Sequence, residues 1–506
     1  MRPALFICLS VSVWADSSCI KCHRAIVDSY TRTGMGRSIT LPKAEVQLER
    51  SWRHASSGRT AAVVWKDDKL THTLLDSDRR ARYDVIYAVG SGRQGKSYLI
   101  RIGDSLFQSP LAWYTERATW DMSPGYFENP APGFNRPVTM ECLFCHAGEA
   151  RPIRGSQNRY LDPPFAAEAI TCERCHGDPS RHLADARSAS IVNPKNLPRA
   201  IRDSVCESCH LSGEARVLNP GRQFSDFRPG MLLEEVFSVY VPERNSANAA
   251  LKVVSHSEQM SASRCSSASG GKLWCATCHD PHREPGEKER AAWYREKCLG
   301  CHQDEAVAQH RAKQGDDCAR CHMPRLKAYD GGHTAFTDHW IRVSTRNQNP
   351  AEPGELLRAW REPLEPLRER NLALAYIGNS QTTRSLSRYQ EGVRLLNSIV
   401  NANRVDGAAA VVVGLQLMRQ NQPAKAVPWF RRALLDEPGN SLRHLTLAAA
   451  LAGAGDSVAA GKEARDAIRL EPLLEDAYTL LAQIEPERAG YWKQQYSKLV
   501  PQRMQR

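Results

Sequence analysis

Cys275-Ala-Thr-Cys-His-Asp-Pro-His282 decides how the rest of the chain is read. Two cysteines three positions apart share one face of a helical turn, so both thiols can reach one flat cofactor. The next residue, His279, then sets an imidazole beneath that cofactor's centre. This is how a porphyrin is tied to a chain by two thioethers while its iron is held from one side. The same pattern stands at Cys19/Cys22/His23, Cys142/Cys145/His146, Cys172/Cys175/His176, Cys206/Cys209/His210, Cys298/Cys301/His302 and Cys318/Cys321/His322. With 16 cysteines and 16 histidines in 506 residues, chance supplies about 0.02 such motifs. The chain has seven. Seven covalent c-type haems are therefore expected.

Other uses of paired cysteines leave the histidines unexplained. A structural zinc site needs two cysteine pairs, or one pair with separated histidines, and gains nothing from a histidine directly after every pair. A disulfide framework makes no demand for histidine at all. Two cysteines fall outside the motifs. Cys8 lies in the apolar N-terminal stretch, and Cys265 is expected to be a buried small apolar residue.

Nine histidines remain. His444 lies in the C-terminal region and reads as structural, which leaves eight for seven irons. That near match points to mostly bis-histidine coordination, suited to low-potential electron transfer. His282 is the strongest second ligand. His182 follows His176 by six positions, and His310 follows His302 by eight; His54, His256, His333 and His339 complete the candidate set. His72 is the weakest, because it alternates with Leu70 and Leu74 as a strand residue would. Met35 and Met260 are minor alternatives. No residue is assigned a catalytic role.

Arg2 followed by the apolar run Ala4 to Trp14 reads as a secretory signal over residues 1–15, with cleavage before Asp16. No other stretch approaches the length of apolar sequence that spans a bilayer, so the mature chain is expected without a transmembrane segment and in the periplasm or a similar compartment. The formal charge of +12 would ordinarily suggest a nucleic-acid or membrane partner. Seven haems lower it to roughly +5 when ferric and about −2 when ferrous, because each carries two propionates. Much of the lysine and arginine excess is then counter-charge, and no nucleic-acid partner is expected.

Motifs are unevenly spread. Between Cys22 and Cys142, short alternating runs such as Tyr83-Asp84-Val85-Ile86-Tyr87 are punctuated by Asp67-Asp68 and Gly90-Ser91-Gly92, which predicts a small antiparallel β insertion over 45–110. From Cys142 to position 340 or so, six motifs crowd together. So little chain per porphyrin cannot build an ordinary side-chain core, so the haems themselves must form it. The whole haem domain is expected over 16–344, mainly α-helical apart from the insertion.

Residues 345–368 carry Pro350, Pro353, Pro363 and Pro366 and read as a linker. Beyond it, over 369–506, cysteine disappears and a repeat emerges. Ala426, Ala433 and Pro438 recur at one constant offset as Ala460, Ala467 and Pro472. The offset equals the tetratricopeptide period of about 34 residues, which predicts a tetratricopeptide-repeat solenoid of paired helices. Such stacks commonly offer a groove to a protein partner, here expected to be a redox protein.

Over residues 16–343 the chain resembles the cytochrome c-552/c-554 family, in the multihaem superfamily that includes cytochrome c nitrite reductase and hydroxylamine oxidoreductase. The resemblance rests on Cys19-Ile-Lys-Cys-His23 with Thr33-Gly-Met-Gly-Arg-Ser38, on Cys142-Leu-Phe-Cys-His146, on Cys172-Glu-Arg-Cys-His-Gly177, and on the stretch from Cys275 to His282. It implies electron transfer. It also leaves room for a multihaem oxidoreductase that reduces or oxidises a small nitrogen or sulfur compound at one open haem. The lysine-containing motif typical of the nitrite reductases is absent, since all seven motifs here end in histidine.

Overall fold

The computed structural model describes residues 18–42, 49–76, 79–187, 191–243, 251–342, 356–401 and 405–499. The expected signal segment, and residues 345–355 of the expected linker, lie outside the described residues.

A ten-stranded antiparallel sheet fills the interval between the first two motifs. Its strands are β1 (Ile39–Thr40), β2 (Arg50–Arg53), β3 (Thr60–Lys66), β4 (Lys69–Asp76) and β5 (Arg79–Val89). They continue as β6 (Gly95–Ile102), β7 (Ser105–Gln108), β8 (Leu111–Tyr114), β9 (Thr119–Met122) and β10 (Arg136–Pro137). The order is β10-β7-β6-β5-β4-β3-β2, with β1 on β5, β8 on β6 and β9 on β8. Asp67 and Asp68 both take positive φ, the two-residue turn that matches strand twist in a hairpin. The sheet has its own apolar core, including Leu70, Leu74, Tyr98, Ile100, Phe107 and Trp120.

The β region is thus larger than the small insertion expected over 45–110. Strands β8, β9 and β10 were illegible because such short runs carry no periodicity to read. Further hairpins follow: β11 (Glu149–Pro152) with β12 (Tyr160–Ala167), then β13 (Ala215–Leu218) with β14 (Phe237–Pro242), then β15 (Arg325–Lys327) with β16 (Ala335–Thr337).

The motif-bearing helices are short. They are α1 (Ile20–Tyr30), α2 (Met140–His146), α3 (Glu173–His176), α5 (Arg199–His210), α8 (Cys275–Cys278), α9 (Arg290–Leu299) and α11 (Cys318–His322). Interspersed are α4 (Ser180–Ala184), α6 (His256–Ala262), α7 (Arg264–Ala268) and α10 (Glu305–Gln314). Helices α1, α3, α4 and α7 to α11 hold no fully buried residue. Helices whose faces are at most half-buried gain little from packing against other protein, so much of their stability needs another source.

The segment read as a linker is built into the fold where it is described. Strand β17 (Leu357–Ala359) joins β14 antiparallel, with Tyr240 opposite Ala359 and Pro242 opposite Leu357. So short a strand between two prolines escapes any periodicity test.

Eight helices complete the chain: α12 (Arg368–Thr383), α13 (Leu386–Asn401), α14 (Gly407–Arg419), α15 (Pro423–Asp436), α16 (Ser441–Gly453), α17 (Ser457–Leu470), α18 (Glu475–Ile484) and α19 (Ala489–Leu499). They pair as hairpins. The repeat spacing has a local cause: Asp406 and Asn440 cap α14 and α16 at equivalent positions, accepting from Ala409 N and Leu442 N at 3.0 Å. Small residues sit where helices touch. A Cβ on Gly414 would lie 2.6 Å from the Phe430 ring.

The helical region docks on the rest of the chain at two places. At one, buried Asn371 donates to Asn219 Oδ1 (3.1 Å) and Ser238 Oγ (3.0 Å), and Arg370 donates to the Leu218 carbonyl. At the other, Glu471 accepts from Gln157 N at 3.2 Å, and Arg159 donates to the Leu470 carbonyl at 2.7 Å while paired with Asp104.

Candidate haem-binding sites

Each Cys-x-x-Cys-His motif occupies a helical turn. His23 N bonds to Cys19 O and His176 N to Cys172 O, both at 2.8 Å; His279 N to Cys275 O and His302 N to Cys298 O follow at 3.0 Å. The other three motifs lie at the end of α2, at the end of α5 and along α11. One turn puts the two thiols on a common face with the histidine beyond them. Among the described residues, none of the fourteen motif cysteines is joined in a disulfide.

Burial divides these thiols into two groups. Cys22, Cys142, Cys301 and Cys321 are exposed, and the other ten are half-buried. Protein thus leaves four of the fourteen uncovered. The cause is local for Cys22, Cys301 and Cys321. They lie on α1, directly after α9 and on α11, none of which holds a fully buried residue. Cys142 sits in the first turn of α2, whose buried face is carried by Leu143 and Phe144. Exposure leaves each thiol accessible for a thioether bond, and a porphyrin joined there would supply the cover that protein does not.

The motif histidines meet second histidines. His23 stacks on His182 with centroids 6.4 Å apart, and His176 on His282 at 6.0 Å, with ring planes within 18°. His279 faces His339 at 6.1 Å, and His322 faces His310 at 6.1 Å. His210 meets His256 at 5.3 Å, edge to face. Two imidazoles bonded to opposite sides of one iron, each nitrogen about 2 Å from it, hold their centroids about 6 Å apart. Four pairs have that spacing and the fifth is a little closer. The residues fit the group.

The ring nitrogens agree with that fit. His176 Nδ1 donates to Val192 O at 2.8 Å, His339 Nδ1 to Thr337 O at 3.0 Å, and His322 Nδ1 to Arg342 O. Anchoring Nδ1 orients the ring and leaves Nε2 for a metal. Nδ1 of His182 and of His256 is buried without a hydrogen-bond partner. Burial, and then the neighbouring imidazoles of His339, His210 and His279, push His256 down to about 2. Burial is also the main cause that pushes His279 down to about 4 and lowers His339. These rings are held neutral, the form that binds metal.

Two expected ligands are placed elsewhere. His54 is buried with both nitrogens engaged, Nδ1 with Ser57 Oγ at 2.8 Å and Nε2 with the Phe127 carbonyl at 2.7 Å. His333 Nε2 is 2.7 Å from Asp121 Oδ2, with its ring between Tyr114 and Phe127. Neither faces a motif imidazole among the described residues. Both belong to the border of the large sheet, whose extent to Pro137 was not foreseen. His72 is a sheet-core residue, as its alternation suggested, hydrogen-bonded to Ser109 and packed against Tyr98 and Trp120. His444 is paired with Glu463. Among the described residues, His146 and His302 have no imidazole opposite them.

Neighbouring motifs interlock. Cys145 Sγ donates to Ser208 O at 3.9 Å, Cys209 Sγ to Phe144 O at 4.0 Å, and Arg216 Nη1 lies 3.6 Å from Cys145 Sγ. The side chains of Cys206 and Cys275 are near enough to perturb one another, as are those of Cys298 and Cys318. His256 and His339, facing different motif histidines, touch at 4.6 Å. Cys265, expected to be buried, is half-buried on α7.

Sequence reading missed Glu207, inside the fourth motif, and its partners Trp360 and Arg361. An acidic residue between two attachment cysteines was legible; its partners, 153 and 154 residues away, were not.

Residues 267–307 match the family described as the doubled CXXCH motif. Among curated proteins, the chain is 22% identical over 230 residues to the dissimilatory sulfite reductase MccA of Wolinella succinogenes, a match covering 40% of this chain and 28% of that protein. The chain thus spans less than a third of that relative's length. Among solved structures, the type IV pilus biogenesis factor PilW is 22% identical over 26% of this chain and 62% of its own, with a TM-score of 0.23. MamA from Desulfovibrio magneticus RS-1 is 15% identical over 27% of this chain and 77% of its own, also at 0.23. No helix among the described residues is long and apolar enough to cross a membrane. The matched motif points to covalently bound haem c in more than one copy, and with it to electron transfer.

Proposed function

We propose that the chain is an extracytoplasmic electron-transfer cytochrome carrying seven haems, one on each Cys-x-x-Cys-His motif. The observation that carries this reading is the set of five motif histidines, each facing a second imidazole across a gap that suits one iron. His182, His282, His256, His339 and His310 are the second ligands, to the haems of His23, His176, His210, His279 and His322 in that order. A bound haem supplies reversible one-electron chemistry at its iron. The chain's own residues fix the rings of His176, His322 and His339 through Nδ1, keep His256, His279 and His339 neutral, and set neighbouring attachment turns side by side, which favours short transfer steps. Arg174 over Phe144 and Arg216 over Phe237 offer cations to haem propionates.

Intact mass and electron paramagnetic resonance test the proposal together. Seven haem additions and at least five low-spin bis-histidine signals are expected. Fewer than five low-spin haems would overturn the ligand set.

A second reading has one specific observation in its favour: His146 and His302 lack an opposed imidazole among the described residues. A haem on either could take a small sulfur or nitrogen compound as its sixth ligand, and a relative named as a sulfite reductase agrees with that. A high-spin haem that binds an added ligand supports this reading; seven low-spin haems remove it. The helical region is proposed to be a tetratricopeptide stack that docks a redox protein. Its exposed Leu435 and Val458 support that role.

A further inference from the structure

Two buried carboxylates share one half-buried guanidinium beside the fourth attachment motif. Glu207 stands between Cys206 and Cys209 and is 6% exposed. Its Oε1 accepts from Trp360 Nε1 at 3.1 Å and its Oε2 from Arg361 Nη2 at 2.6 Å. Arg361 also donates through Nε to Glu234 Oε1 at 3.1 Å, and through Nη2 to Ser204 Oγ at 2.8 Å. Glu234 is 5% exposed. A charge this deep is costly unless paired and hydrogen-bonded, and here one planar guanidinium serves both carboxylates. Burial still outweighs Arg361 and Trp360 and pushes Glu207 up to about 7, so its carboxylate is fully charged only above neutral pH. The clamp is itself anchored. Trp360 N donates to Val239 O at 2.8 Å, directly after β17 has joined β14.

We infer that Arg361 is a positioning residue for the haem held by Cys206, Cys209 and His210. Acting through Glu207, it locks the attachment turn from a distant segment of the chain, and the charges of the cluster bias that haem between its ferric and ferrous states. The inference rests on the haem assignment proposed above. The sign of the effect follows from Coulomb's law in a poorly screened interior. A carboxylate near the iron favours the ferric state, which carries the extra positive charge; a guanidinium favours the ferrous one.

The test uses the full-length haem-loaded protein and the variants Glu207→Gln, Arg361→Gln, Arg361→Lys and the double Glu207→Gln/Arg361→Gln. Midpoint potentials come from a redox titration at about pH 9, where Glu207 is ionised, followed by visible and paramagnetic resonance spectra, and haem number comes from intact mass. Glu207→Gln is expected to raise the potential of one haem and Arg361→Gln to lower the same one. The double variant should fall between them, and Arg361→Lys should stay near the parent. Opposite shifts at one haem are something a merely loosened turn cannot produce. Equal-signed shifts in the two single variants, or no shift at any haem, would overturn the inference. If Arg361→Gln fails to accumulate, the near-isosteric Glu207→Gln decides alone: an unchanged set of potentials overturns the clamp. A parent protein lacking haem on Cys206 and Cys209 would instead overturn the assignment beneath it.

Discussion

Gly155 and Gly439 meet backbone to backbone: a Cβ on Gly155 would lie 1.7 Å from the Gly439 carbonyl oxygen, and Ser441 N donates to Gly155 O at 3.1 Å. The loop between β11 and β12 is thereby seated against the turn between α15 and α16. Together with Glu471 and Arg159 nearby, and with Asn371 on the strand pair β13–β14, it ties the helical region to the motif-bearing region at both ends. The helices thus brace the motif-bearing region.

Gly155→Ala is expected to destabilise the chain by about 2 kcal/mol or more, since it adds strain at φ +84° to a backbone collision. Gly439→Ala is the control. Its nearest neighbour is the Gly155 Cα at 3.8 Å from the new Cβ, an ordinary contact, and little loss is expected. Urea unfolding of the two variants side by side measures the difference; equal losses would mean the contact is not the cause.

Ending the chain at Asn349 should not yield a well-behaved haem domain. The cut removes β17, Trp360 and Arg361, and leaves Glu207 and Glu234 buried without their shared cation, a loss of about 3–5 kcal/mol. Low yield and early unfolding relative to the full chain are expected by thermal melts. A truncated chain as stable as its parent would show the clamp to be dispensable.

The ligand assignment makes a contrast that single substitutions can read. His282→Met should raise the potential of one haem and leave the haem number unchanged, because a thioether favours the ferrous iron. His54→Gln and His333→Gln should leave every low-spin signal in place, because both rings are committed to protein partners. Loss of a low-spin haem in either would return that histidine to the ligand set.

The attachment turns were legible, because Cys-x-x-Cys-His is a local pattern and each copy folds as the one turn its spacing implies. How deep each turn sits was not: Cys298 and Cys301 share a motif, yet one thiol is half-buried and the other exposed. The helical hairpins were legible because their period is repeated in caps such as Asp406 and Asn440. The five histidines that face motif imidazoles were legible as members of a set and not as pairs. His182 lies far along the chain from His23, and no periodicity links them. The count of spare histidines against motifs does not separate His54 and His333, whose ring nitrogens meet Ser57, Phe127 and Asp121, from the five that face motif imidazoles. Residues 356–368 misread as a linker for a similar reason: prolines mark them as irregular, while the ion pairs of Arg361 are invisible without a fold.

His72 gives a prediction in which haem takes no part. It is fully buried in the sheet core, Nδ1 bonded to Ser109 Oγ at 2.7 Å, and burial pushes it down to about 3 from an ordinary 6.5. Between those two values the unfolded chain binds a proton that the folded chain refuses, so the unfolded state gains as pH falls. The stability tied to this group is complete above pH 6.5 and is lost at about 1.4 kcal/mol per unit below it, levelling off near pH 3. His72→Phe keeps an aromatic ring against Tyr98 and Trp120, while Ser109 Oγ still accepts from Leu111 N at 3.2 Å. Its stability should therefore depend less on acid. Relative to the parent, the variant should gain about 1 kcal/mol in urea unfolding between pH 6 and pH 5. Parallel stability curves for the two proteins would mean that His72 is protonated in the folded sheet, which its surroundings of Leu70, Leu74 and Trp120 could accommodate only by opening.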